Sequence, residues 1–186
     1  MKSFISTLAA AATLATLALA STGASAADGT ITFTGAVTDT TCSIDAKTTG
    51  AADKNVTLPT VTGSALSAPG ATAGTTGATD LTFALSGCST ETKAVARFEN
   101  GPTIDQSTGY LMNQAPAGAQ NVQVRLLNAS RLPINVVTGA NNDLAGNGVA
   151  IVSGAANLQY FAQYYATGKA TAGPVNTSVQ YTVDYQ

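Results

Sequence analysis

The sequence predicts an all-β domain, and three observations carry that expectation. Thr, Ala, Gly, Val and Asn dominate the composition, and the β-branched and small residues fall in short runs broken by Gly, Pro and Asn. Several of those runs alternate apolar and polar residues with the period of two that half-buries an extended chain. At 186 residues, 45% of them hydrophobic and only 10% charged, the chain suits one domain with a real core and is too apolar for disorder.

The N-terminus carries an export address. Lys2 supplies a positive start, Phe4 to Ala20 is apolar and rich in Ala and Leu, and Ala24-Ser25-Ala26 offers the small residues a signal peptidase accepts. Residues 1–26 are therefore expected to be a signal peptide. Thr7, Thr13 and Thr16 dilute the alternative of a retained anchor, and no later segment reaches the roughly 20 apolar residues a membrane span needs.

The first strand of the mature chain is Thr30 to Thr38, whose apolar face holds Ile31, Phe33, Gly35 and Val37. A glycine on that face is unexpected, because it packs nothing, and it often marks a place where another group approaches closely. Next come the only cysteines, Cys42 and Cys88. In an exported chain an even pair is most simply one disulfide. Closing a loop of about 47 residues contributes ~4 kcal/mol on the chain-entropy account. With no histidine in the chain, a zinc pair or an activated thiol lacks its partners.

Further along, Asn55 to Leu58 reads as a short strand stopped by Pro59, and Gly63 to Thr79 as a loop with no helical period. Asp80 to Leu85 alternates again, with Leu81, Phe83 and Leu85 on one face. Val95 to Glu99 reads as a strand, Tyr110 to Asn113 as a short one, and Val122 to Leu127 as a stronger one with Val122, Val124 and Leu126 inward and Gln123 and Arg125 outward. Ile134 to Val137 reads as an edge segment. Gly139 to Gly148 reads as a loop, its Asn141-Asn142-Asp143 having too few carboxylates for a calcium site.

Leu158 to Tyr165 is apolar on both faces and is expected to be a central strand. The chain ends on a strand in which Val179, Tyr181, Val183 and Tyr185 alternate to the last residue but one. Termini are ordinarily frayed and polar, so so apolar an end calls for something to bury it.

These features together resemble the pilins of chaperone/usher fimbriae of the type 1 kind, over the whole mature chain. The resemblance rests on the strand Asp28 to Val37 before the first cysteine, the Cys42 and Cys88 pair, the run Tyr160 to Gly168, and a C-terminal motif with penultimate Tyr185 and Gly173 fourteenth from the end. It implies an incomplete immunoglobulin-like sandwich lacking its last strand, with residues 27–41 as an N-terminal donor-strand extension and 42–186 as the pilin domain. It further implies that Ile31, Phe33, Gly35 and Val37 enter a groove on the next subunit, lined by Val179, Tyr181, Val183 and Tyr185 and approached at Gly173. A periplasmic chaperone would hold that groove first, and an outer-membrane usher would assemble the fibre at the cell surface.

Other functional classes fare worse. Eight basic against ten acidic residues leave no basic footprint for nucleic acid. The carboxylates show no catalytic spacing, and the commonest base is missing, so no enzyme, cofactor or metal is expected. A tip adhesin resembles two domains where this chain has room for one. A minor adaptor or tip-proximal pilin shares every motif named and stands as the alternative to a shaft subunit.

Overall fold

The computed structural model describes residues 42–47 and 49–186, with Thr32 and Thr34 besides. The chain divides into two units, Met1–Val37 and Thr38–Gln186. In the first, Thr32 and Thr34 are exposed and outside regular secondary structure. The expected signal peptide and the expected strand bearing Ile31, Phe33, Gly35 and Val37 lie outside the described residues.

The second unit is all-β. Its larger sheet orders β1 (Ser43–Ile44), β3 (Leu81–Ser86), β8 (Ala156–Ala166), β6 (Val122–Leu127) and β5 (Leu111–Met112), and β2 (Thr72–Ala73) also pairs β8. The smaller sheet orders β7 (Val149–Ala150), β4 (Lys93–Phe98) and β9 (Tyr181–Tyr185). Every pairing is antiparallel.

β8 is the spine, as its two apolar faces predict. Its first half pairs β3 from Leu85↔Ala156 to Leu81↔Tyr160, and its second half pairs β6 from Leu127↔Phe161 to Val122↔Ala166. Leu158, Tyr160 and Phe161 are buried on it. The predicted face of β3 is the core face, with Leu81, Phe83 and Leu85 buried together with Ala94, Ala96 and Phe98 of the opposing sheet. Rings lock the layers: Phe83 and Phe98 meet Tyr160 edge-on at centroid distances of 6.1 and 5.1 Å. Cys42 and Cys88 form a disulfide. It closes the outer end of the β1–β3 pair, where Ser43 faces Ser86.

Five expectations need correction. Asn55 to Leu58 forms no strand among the described residues; Val56 and Leu58 are half-buried against the core, but the backbone has no ladder partner. Gly63 to Thr79 is not all loop, since Gly63–Leu66 is a 3-10 turn and β2 pairs Tyr164 and Tyr165. Gln123 is buried rather than outward, because the 103–110 segment folds over it: its Nε2 donates to Asp105 Oδ2 at 2.6 Å and its Oε1 accepts from Thr108 at 3.0 Å. Ile134 is fully buried and donates its N–H to Leu126 O, but its neighbours Pro133 and Asn135 make only single bridges instead of a strand. Within the 139–148 loop a short helix, α1 (Leu144–Asn147), is capped by Asp143, whose carboxylate accepts from Gly146 N at 2.6 Å. That role leaves this carboxylate occupied in the helix cap.

The Tyr160 hydroxyl crosses the core to accept the N–H of Ala96 at 2.9 Å. Burial pushes its pKa up from 10.0 to about 12 against the smaller opposing effect of that hydrogen bond. A raised folded pKa stabilises the fold fully below the unfolded value and loses that stability as pH rises through the folded value. Thermal or denaturant unfolding should therefore show a plateau to about pH 10 and a loss of about 2–3 kcal/mol by about pH 12. Tyr160→Phe should cost about 1–3 kcal/mol at neutral pH, by stranding the buried Ala96 N–H. It should also shrink the alkaline loss without removing it, because burial raises Tyr164, Tyr181 and Tyr185 as well.

Candidate strand-accepting groove

β9 pairs β4 from Phe98↔Tyr181 to Ala94↔Tyr185. Lys93 and Gln186 exchange both backbone hydrogen bonds, and Glu99 N donates to Gln180 O at 2.8 Å. In an antiparallel ladder the bonded pairs alternate with unbonded ones. The bonded positions of β9 are thus Gln180, Thr182, Asp184 and Gln186. Tyr181, Val183 and Tyr185 aim their backbone N–H and C=O the other way, at the free edge of the sheet. Among the described residues no strand pairs with that edge.

Side chains at the same three positions turn inward. Tyr181, Val183 and Tyr185, with Val175 and Val179 before them, pack against the main core, but each is only half-buried. Tyr181 stacks on Phe83 at 4.4 Å. Thr182 and Asp184 take the outer face, where Asp184 pairs Arg97 at 3.3 Å. In the 52–61 segment, Val56 and Leu58 are half-buried against the main core and Val61 against the second cluster around Leu66. Ala52 O accepts the Tyr181 hydroxyl at 2.7 Å. Between residues 60–66 and 170–175 lies a cavity of about 380 Å³, floored by Leu66, Val122 and Tyr164.

The tyrosines here are held neutral. Burial raises Tyr181, with Asp45 and Asp53 adding to it, and burial raises Tyr185, with Glu91 and then Tyr181 adding. An apolar trough flanked by backbone groups with no ladder partner among the described residues suits an extended peptide. It does not suit a small charged substrate.

All five C-terminal residues singled out from the sequence lie along this line, although β9 begins at Tyr181 and Val179 precedes it. Gly173 has a steric reason: a Cβ there would fall 2.6 Å from Ala119 N and 2.9 Å from Gly118 C. Sequence reasoning missed Asn113, which fixes the approach to β9. Its Nδ2 donates to Pro174 O and Ala119 O at 3.0 Å, and its Oδ1 accepts Asn176 N at 3.0 Å. Its only local signal is an Asn beside the turn at Ala115–Gly118. Gly173→Ala should lower stability by about 1–3 kcal/mol, the range for a side chain forced into occupied space. Unfolding curves of the purified domain check it.

The family model for the type-1 fimbrial protein, A chain, matches residues 58–186. The major fimbrial subunit SMF-1 of Stenotrophomonas maltophilia is 44% identical over 161 residues, covering 84% of this chain and 92% of that one. An F17 fimbrial protein of Escherichia coli is 42% identical, covering 85% and 87%. Among solved structures, the type I fimbria antigen of Burkholderia pseudomallei superposes with a TM-score of 0.53 at 28% identity, covering 80% of this chain and 91% of that one. The immunoglobulin-like sandwich, the sequence match and the kinship with these subunits agree: this chain belongs to the type-1 fimbrial protein family and is a structural subunit of a surface fimbria.

Proposed function

We propose that this subunit builds the shaft of its fimbria by strand insertion, residues 31–37 of one copy entering along the free edge of β9 on the next. The observation that carries this reading is the edge itself, where Tyr181, Val183 and Tyr185 turn apolar side chains inward and backbone groups outward. An incoming strand with an apolar face has both kinds of partner waiting. Ile31, Phe33 and Val37 would each add roughly 1.5–3 kcal/mol of burial, and each new backbone bond roughly 0.5–1.5 kcal/mol. Gly35 would pass the position of closest approach, where a Cβ would not be tolerated. Before assembly a periplasmic chaperone would cover the same edge, and an outer-membrane usher would exchange it. The identities of 44% and 42% to a major fimbrial subunit and an F17 fimbrial protein favour the shaft over an adaptor role.

Gly35→Leu tests the insertion. The chaperone-bound monomer should keep its thermal stability and its disulfide, while filaments fail to form. Normal filaments, or a destabilised monomer, would overturn the assignment of residues 31–37 as the inserted strand. Tyr185→Ser tests the other partner: it should lose co-purification with the chaperone and fall to degradation. Normal chaperone recovery would remove β9 from that role.

A further inference from the structure

The chain has two Asn-Gly steps, Asn100-Gly101 and Asn147-Gly148, and the fold treats them oppositely. We propose that Asn100 is a site of spontaneous deamidation, an ageing mark on the subunit, and that Asn147 is protected by its local structure.

The reaction needs a free backbone nitrogen on the following residue and room to close a five-membered ring. The Gly101 nitrogen, giving up its proton, attacks Cγ of Asn100. The Cγ–Nδ2 bond breaks, and Nδ2 leaves as ammonia, taking up one proton. Water then opens the resulting succinimide at either carbonyl, yielding aspartate or isoaspartate. No other reactant is consumed.

Asn100 meets these requirements. It is exposed, just past the end of β4, and a Cβ built on Gly101 would meet nothing within 4 Å. The Gly101 N–H has no hydrogen-bond partner among the described residues. The one restraint is Gln106, whose amide exchanges two hydrogen bonds with that of Asn100 at 3.2 and 2.9 Å. Asn147 fails each requirement. Gly148 N is committed to Leu144 O at 3.1 Å, and the Asn147 amide is held by Asp143 at 2.6 Å and Asn128 at 3.1 Å. Space is also absent there, a Cβ at Gly148 falling against Leu144 O.

The product matters because of where it lies. Glu99, the residue before, donates the backbone bond to Gln180 that forms the rung next to the start of β9, and its carboxylate accepts from Thr182 at 2.7 Å. Isoaspartate lengthens the backbone by one carbon directly after that rung and adds a second negative charge beside Glu99.

The test is timed incubation of the purified, exported protein at neutral pH, with fragment mass spectra locating each mass gain and isoaspartyl methyltransferase labelling confirming the linkage. Asn100 should convert, with isoaspartate in excess of aspartate, and Asn147 should convert at least roughly tenfold more slowly. In denaturant the two rates should converge. Gln106→Ala should accelerate Asn100 in the folded protein. Equal rates in the folded state, a folded rate ratio unchanged by denaturant, or a Gln106→Ala rate equal to the parent's would overturn the proposal.

Discussion

A backbone donor or acceptor beside an apolar core has to find a partner, and this requirement divides the small sheet into a closed edge and an open one. On the β7 side, β4 outruns its two-residue neighbour, and side chains take over. The Ala96 N–H goes to the Tyr160 hydroxyl, and the Ala96 carbonyl takes the Asn142 amide at 2.9 Å. On the β9 side no such side chain reaches Tyr181, Val183 or Tyr185 from the described residues. The domain is thus built to finish one edge from within and to present the other. Its chain of ring contacts, Phe98 to Tyr160, Tyr160 to Phe83 and Phe83 to Tyr181, ties β9 to the core.

That arrangement stands on rigid supports away from the edge. β8 holds the large sheet together through eleven residues, and the disulfide ties the β1–β3 end. Gly173 and Asn113 seat the chain just before β9, so the open strand is delivered in a fixed position although its outer side makes no ladder. A strand held on one side only is stable here because five rungs to β4 and half of its apolar surface are already in place. What it lacks is the other half.

The strong alternations were legible. Leu81, Phe83 and Leu85, then Val122, Val124 and Leu126, and the two-faced run from Leu158 to Tyr165 each declare strand and face through burial alone. Features that depend on a distant partner were not. Gln123 looks outward by period and is buried because residues 103–110 cover it. Asn55 to Leu58 has strand composition and strand-like alternation of burial, yet pairing is a property of two segments, and the second is not its own neighbour. Asn113 and Asn142 act through backbone groups tens of residues away, and no local pattern announces that. Gly173 was found through resemblance, and its reason, the nearness of Ala119 N, appeared only in three dimensions.

The two faces of the proposed joint lie in different parts of the chain, and that determines the form of the product. A contact between unlike patches is head-to-tail and does not close on itself, so each subunit added leaves one new open edge and the assembly extends as a filament. Its lifetime follows from the same geometry. An inserted strand would share a core with Phe83 and Tyr181 and a ladder with Val183, so leaving requires both to open together. Cooperative loss of that kind resembles unfolding a domain more than dissociating a surface contact, and its rate, rather than its equilibrium, sets how long the fibre persists. On the proposed reading, a chaperone meeting the identical edge would be bound by the same backbone rule. It would be displaced only by a strand that fills the trough better, which would place the selectivity of assembly in the half-buried residues of β9 and the cavity beside residues 170–175.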